Sequence, residues 1–179
     1  MAWTAPKTFV PNTVLTAAEL NIHLRDNLLE TAPAHASQPG AYFATASEGR
    51  IVERVPVRLT ISDEGTTTST SFTDLDGTVV GPSVTVTSNE GALVCWGVES
   101  WNDGGGTTRT TVDVSGATNI AGNDSRAITN MSGANNRLQA SHVVYYSDLN
   151  PGSNTFEMKY RVSSGTGSFS RRRIVVFPY

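Results

Sequence analysis

Cysteine is nearly missing from this chain. One thiol, Cys95, stands among 179 residues, which excludes an internal disulfide framework and any multi-cysteine metal centre. Charge is scarce too: only 16% of residues are Asp, Glu, Lys or Arg, and the net charge of −3 favours neither nucleic acid nor an anionic membrane as partner. No run of about 18 apolar residues is present to cross a bilayer, and the opening MAWTAPKTFVPN has no secretory core. The expectation is a soluble chain made in a cytosol. The sequons at Asn123 and Asn130 mean nothing without a secretory signal.

Catalytic patterns are missing as well. His23, His35 and His142 have no metal-ligand spacing and no nucleophile motif near them. The acidic pairs Asp63/Glu64 and Asp74/Asp76 sit in turn-like stretches, where Asp is favoured for geometry alone, and "DLDG" lacks the remaining ligands of a calcium loop. Gly104–Gly106 has no strand-then-helix context and is expected to be a hairpin loop. No enzyme activity and no cofactor are expected. His142 is expected to be a hydrogen-bonded sheet residue, and Cys95, between Val94 and Trp96, a buried and inert thiol.

What the chain does have is alternation. Val55, Val57, Leu59 and Ile61 share one face of a strand; Val84 and Val86 share another; Ala92, Val94, Trp96 and Val98 a third; Phe156, Met158, Tyr160 and Val162 a fourth. Further strands are predicted at 69–74, 107–114, 138–146 and 170–177, separated by turns such as "SNEG", "NDGGG" and "DLNPG". About eight strands without a covering helix predict an antiparallel β-sandwich of jelly-roll type. In "SRRRIVVFPY", alternation sends Arg172 to the face opposite Arg171 and Arg173, which suits ion pairs or an interface. Leu93, Cys95, Val143 and Tyr145 make their strands apolar on both faces, which a water-facing sandwich should not show. Burial by the arm or by another copy of the chain would explain them. Trp101, beside the glycine loop, and Tyr145 are the candidate exposed aromatics, for a neighbouring subunit or a sugar.

The first thirty residues differ. Thr16 and Glu19 form a capping box, with Leu15 and Leu20 as its hydrophobic staple. Ala17, Leu20, Leu24 and Leu28 then make a helical stripe, widened by Ile22 and Leu29, with Asn21, Arg25 and Asp26 mostly off it. Before the helix lies an extended arm with Trp3, Phe9 and Val10 as anchors. The organisation is an arm and anchor helix over 1–30, a Pro/Ala/Gly/Ser-rich connector over 31–50, and the sandwich over 51–179.

The opening "AWTAPKTFVPNTVLTAAELNIHLRDNLLE" resembles the N-terminal segment of tail and other virion proteins of double-stranded-DNA phages. The residues that match are Trp3, Thr4, Pro6, Val14, Thr16, Ala17, Leu20, Asn21, Leu24, Arg25, Asp26, Asn27 and Leu28. "GAYFATASEGRIVERVPV" resembles junctions just downstream in such proteins. The resemblance implies a virion structural protein, commonly a homotrimer, attached through this segment to other virion proteins. A minor tail or short fibre-like protein is the leading expectation, with a capsid decoration protein or head fibre, and then a host glycan- or receptor-binding module, as alternatives.

Overall fold

The protein is described from a computed structural model covering residues 4–5, 7–29, 36–46, 49–76 and 80–179. It forms two compact units, Met1–Arg54 and Val55–Tyr179. Trp3 and His35 lie outside the described residues.

In the first unit the capping box forms as the sequence predicts: Glu19 N donates to Thr16 Oγ1 at 3.2 Å, and Thr16 N donates to Glu19 Oε2 at 3.0 Å. An α-turn over Ala17–Leu20 passes into a π-helical stretch, Asn21–Asp26, and returns to α over Asn27–Leu29. At about 3.6 residues per turn, a four-residue step overshoots a full α-turn, whereas the wider π-turn undershoots it. The mixture keeps rows spaced four residues apart in line along the helix. Where the sequence suggests a plain connector, Tyr42–Thr45 (β1) and Ile51–Arg54 (β2) pair as an antiparallel hairpin. Ile51–Arg54 therefore belongs to the first unit, and the sandwich begins at Val55 instead of Ile51. Period-two alternation is the same in a hairpin and in a sandwich strand, so the sequence pattern could not place this boundary.

The second unit is a jelly roll. Its strands are Val57–Ile61 (β3), Gly65–Thr67 (β4), Ser83–Ser88 (β5), Ala92–Asn102 (β6), Thr108–Gly116 (β7), Ile128–Asn130 (β8), Leu138–Tyr146 (β9), Gly152–Val162 (β10) and Gly167–Pro178 (β11). One sheet runs β3-β11-β6-β9, with β4 also on β11, and the other runs β5-β10-β7-β8. With β4 set aside, the orders are first-eighth-third-sixth and second-seventh-fourth-fifth, the two interlocked Greek keys of a jelly roll. The inward rows fill the core as predicted: Ala92, Val94, Trp96 and Val98 are buried, as are Phe156, Met158, Tyr160 and Val162, with Val84 and Val86 opposite. Tyr146 and Phe156 meet edge to face at 5.7 Å.

Four expectations change. The predicted strand at 69–74 is a single bridge, Thr73 to Tyr160, and Ile128–Asn130 supplies the eighth sandwich strand in its place. Val57 and Leu59 share cross-strand rows with the buried Val176 and Ile174, yet remain 36% and 40% exposed because β3 is an edge strand. His142 meets Trp96 edge to face at 5.0 Å where a hydrogen bond was expected. Cys95 is half-buried and on the outer side of its sheet, because Trp96 points inward.

A β-bulge sets the arginine run. Arg171 and Arg172 together oppose Val98, and Arg171 adopts φ +48°. Arg171 and Arg173 thus face out, while Arg172 is fully buried, its Nη2 donating to the Asp63 carbonyl at 3.1 Å. The Trp96→Ala variant should lose about 3–5 kcal/mol of stability, read as a lowered urea midpoint. An unchanged midpoint would contradict this core.

Candidate interaction surfaces

The helix of the first unit is covered on the wrong side for an ordinary surface helix. Asn27, only 5% exposed, clamps the arm: Thr4 N donates to its Oδ1 at 3.0 Å, and its Nδ2 donates to the Thr4 carbonyl at 2.9 Å. Further along the arm, the Lys7 ammonium pairs with Glu19. Glu19, His23 and Asn27 lie four residues apart, so the arm runs over a polar stripe. The adjacent stripe is apolar and exposed, with Leu20, Leu24 and Leu28 at 37%, 51% and 68% exposure. Phe9, Leu15 and Ile22 are exposed as well. Arg25 and Asp26, adjacent in the chain, pair with each other at 2.7 Å. Asn27 was legible as part of the quoted motif but not as a working residue. Asn is a poor choice for a helix interior unless its amide has a partner, and that was the available signal.

Lys7, followed by the amide and hydroxyl of Thr16, holds the Glu19 carboxyl down to about 2. A carboxylate with a lowered folded-state pKa contributes stability above its ordinary value and loses it as pH falls through the lowered one. The arm contact is therefore complete above about pH 4.5 and is released toward pH 2.

In the second unit, cross-strand register gathers the doubly apolar strands onto one outer face. Val175, Cys95 and Val143 form one row across β11, β6 and β9, and Phe177, Leu93 and Tyr145 form the next. Val143 and Tyr145 are 55% and 58% exposed, and Tyr145 meets the Tyr179 ring edge on. Arginines flank the rows. Arg173 lies over Gly97, where an added Cβ would come within 2.9 Å of its Nε. Arg137 and Arg171 each donate to Glu99, at 3.1 and 2.8 Å. Trp101 is not the exposed aromatic expected from its place beside the glycine loop. It is 8% exposed, capped by the Arg137 guanidinium at 3.6 Å. Val175 and Phe177 were missed, although "IVVFP" alternates legibly.

The outer side of the other sheet carries a groove of about 490 Å³, between residues 70–72 and 121–124. Arg161 grips Asp124 with two nitrogens at 3.0 and 2.5 Å, donates to the Thr70 carbonyl at 3.3 Å, and stacks 5.3 Å from the Phe72 ring centre. Arg109 holds Asp124 from the other side at 2.5 Å. Arg161 and then Arg109 keep the Asp124 carboxyl below the usual carboxylate range. Asp113 accepts from Gly122 N at 2.7 Å. Gly122 sits so tightly on Thr111 and Asp113 that an added Cβ would strike both. No group of acidic, His or Cys side chains suited to a metal occurs among the described residues.

No family model matches the chain, and no curated protein matches it significantly. Among solved structures it is similar to one of the infectious bursal disease virus Gx strain, at 14% identity and TM-score 0.49 over 83% of this chain and 37% of that one. It is also similar to Eiger TNF from S. frugiperda (10% identity, TM-score 0.44, 70% of this chain and 92% of that one) and to the EclA C-terminal domain, a sugar-binding protein (16%, 0.29, 92% and 99%). The chain thus spans little more than a third of the viral protein's length.

Asn27→Ala should unpin the arm. Amide exchange at Thr4 should accelerate and the Glu19 carboxyl should titrate closer to its ordinary range, both measured by NMR in the full chain. An unchanged Thr4 amide would refute the clamp.

Proposed function

We propose that this chain is a non-enzymatic structural protein of a phage virion, a minor tail or short fibre-like component. Its N-terminal unit is the anchor and its jelly roll is displayed as a homotrimer. The observation that carries this reading is the row of exposed leucines. A capped helix whose polar stripe is occupied by its own arm has only its apolar stripe left to offer. Burying Leu20, Leu24 and Leu28 in a socket on another virion protein would contribute roughly 1.5–3 kcal/mol each. Such a short helix gains little stability by itself, so docking also stabilises its fold. The phage-type motif described above covers this same segment, and two of its residues, Thr4 in the arm and Asn27 in the helix, bind each other.

Self-association fits the outer face of the β3-β11-β6-β9 sheet. Its six apolar side chains form a centre, and Arg171 and Arg173 lie at its margin, the make-up of a protein interface core with an arginine-bearing rim. Closed three-fold symmetry would bury that face once per copy and triple the number of anchors in each particle site.

Two experiments test the two parts separately. The Leu20→Asp/Leu24→Asp variant should fold and yet be missing from purified particles; incorporation at normal copy number would overturn the anchor reading. In light scattering the purified chain should have about three times its 19.1 kDa mass, and Val143→Asp should reduce it to one chain. A monomeric parent protein would remove the sheet face from the account.

A further inference from the structure

We infer that the groove between residues 70–72 and 121–124 is a binding site for a neutral saccharide. The groove belongs to the sandwich unit alone and plays no part in the anchor or in the apolar sheet face. Its volume lies within the range of small-ligand sites. Its lining defines the ligand class.

The charges of the groove are already spent on one another. Asp124 is held by both Arg161 and Arg109, and with Asp113 beside them the two carboxylates equal the two guanidiniums in number. A strongly anionic or cationic ligand would have to break these pairs, whereas a neutral one would not. The other polar side chains of the lining, Thr70, Ser71 and Asn123, are short; Asn123 Oδ1 accepts from Ser125 Oγ at 2.6 Å, which leaves its Nδ2 to donate, a set suited to hydroxyls that both donate and accept. Asp113 uses Oδ1 on Gly122 N, and its Oδ2 has no partner among the described residues. Phe72 adds the one aromatic surface. It is half-buried and braced by Arg161. A pyranose ring, with hydroxyls around its edge and an apolar face of C–H groups, matches this pairing of an aromatic wall with acceptors and donors.

The site is rigid before any ligand arrives. Arg161 is tied at three points, to Asp124, the Thr70 carbonyl and the Phe72 ring, which joins the two lips of the groove. Gly122 is packed so closely on Thr111 and Asp113 that no larger residue fits there. Preorganisation of this kind lowers the ordering cost of binding a weakly held, flexible sugar. The signal escaped the sequence reading because the lips lie about fifty residues apart and each taken alone is ordinary loop chemistry.

The test is saturation-transfer NMR on the full chain, with glucose, galactose, mannose and N-acetylglucosamine as probes and glucuronate as the charged control. At least one neutral sugar should bind with millimolar affinity. Phe72→Ala and Asn123→Ala, each checked for an unchanged melting temperature, should weaken it by about tenfold or more. If Phe72→Ala does not fold, Asn123→Ala decides alone. No binding by any neutral sugar, binding of glucuronate only, or binding unaffected by the folded variants would overturn the proposal. Because Leu20→Asp/Leu24→Asp leaves the groove intact, sugar binding by that variant should equal that of the parent, whether or not the anchor reading holds.

Discussion

One side-chain amide decides how the N-terminal unit meets its surroundings. Asn27 satisfies both backbone groups of Thr4, and in doing so fixes the arm over the Glu19–His23–Asn27 stripe. In an ordinary amphipathic helix the apolar stripe is the covered one. Here the polar stripe is covered from within the unit, and the leucines are the exposed side. The capping box, the Lys7–Glu19 pair and the π-helical stretch that keeps the rows straight all serve the same arrangement.

The sandwich solves its own burial and then repeats the same pattern on a larger scale. Its inner rows are complete, with Trp96, Phe156, Met158 and Ile174 sealed between the sheets. On the outer face of the β3-β11-β6-β9 sheet, register alone brings six apolar side chains from three strands together. The bulge at Arg171 and Arg172 changes the parity of the last strand within that face. Two arginines go out and one goes into the core, so the same device shapes the outer face and the interior.

Much of this was legible in the sequence. The cap, the leucine stripe and three of the four inward rows follow from residue spacing alone, and the jelly roll follows from strand count and turn chemistry. What escaped has a common physical cause: tertiary placement of residues with little local signal. The β1–β2 hairpin shares its alternation with the sandwich, so the boundary shifted from 51 to 55. Trp101 was judged by its neighbours in sequence, whereas Arg137, thirty-six positions on, is what covers it. The short strand Ile128–Asn130 has only three residues, too few for periodicity to register. The candidate surfaces divide in the same way. The leucine stripe was visible, but the Asn27 clamp and the groove at Phe72 needed coordinates.

The central claim concerns which side of the N-terminal helix is offered to a partner, and a cryo-EM map of the assembled particle measures it directly. The account predicts Leu20, Leu24 and Leu28 packed against a neighbouring chain, with Asn27 still holding Thr4 on the opposite flank. Leucines facing solvent in the particle, or buried against the sandwich of their own chain, would contradict it.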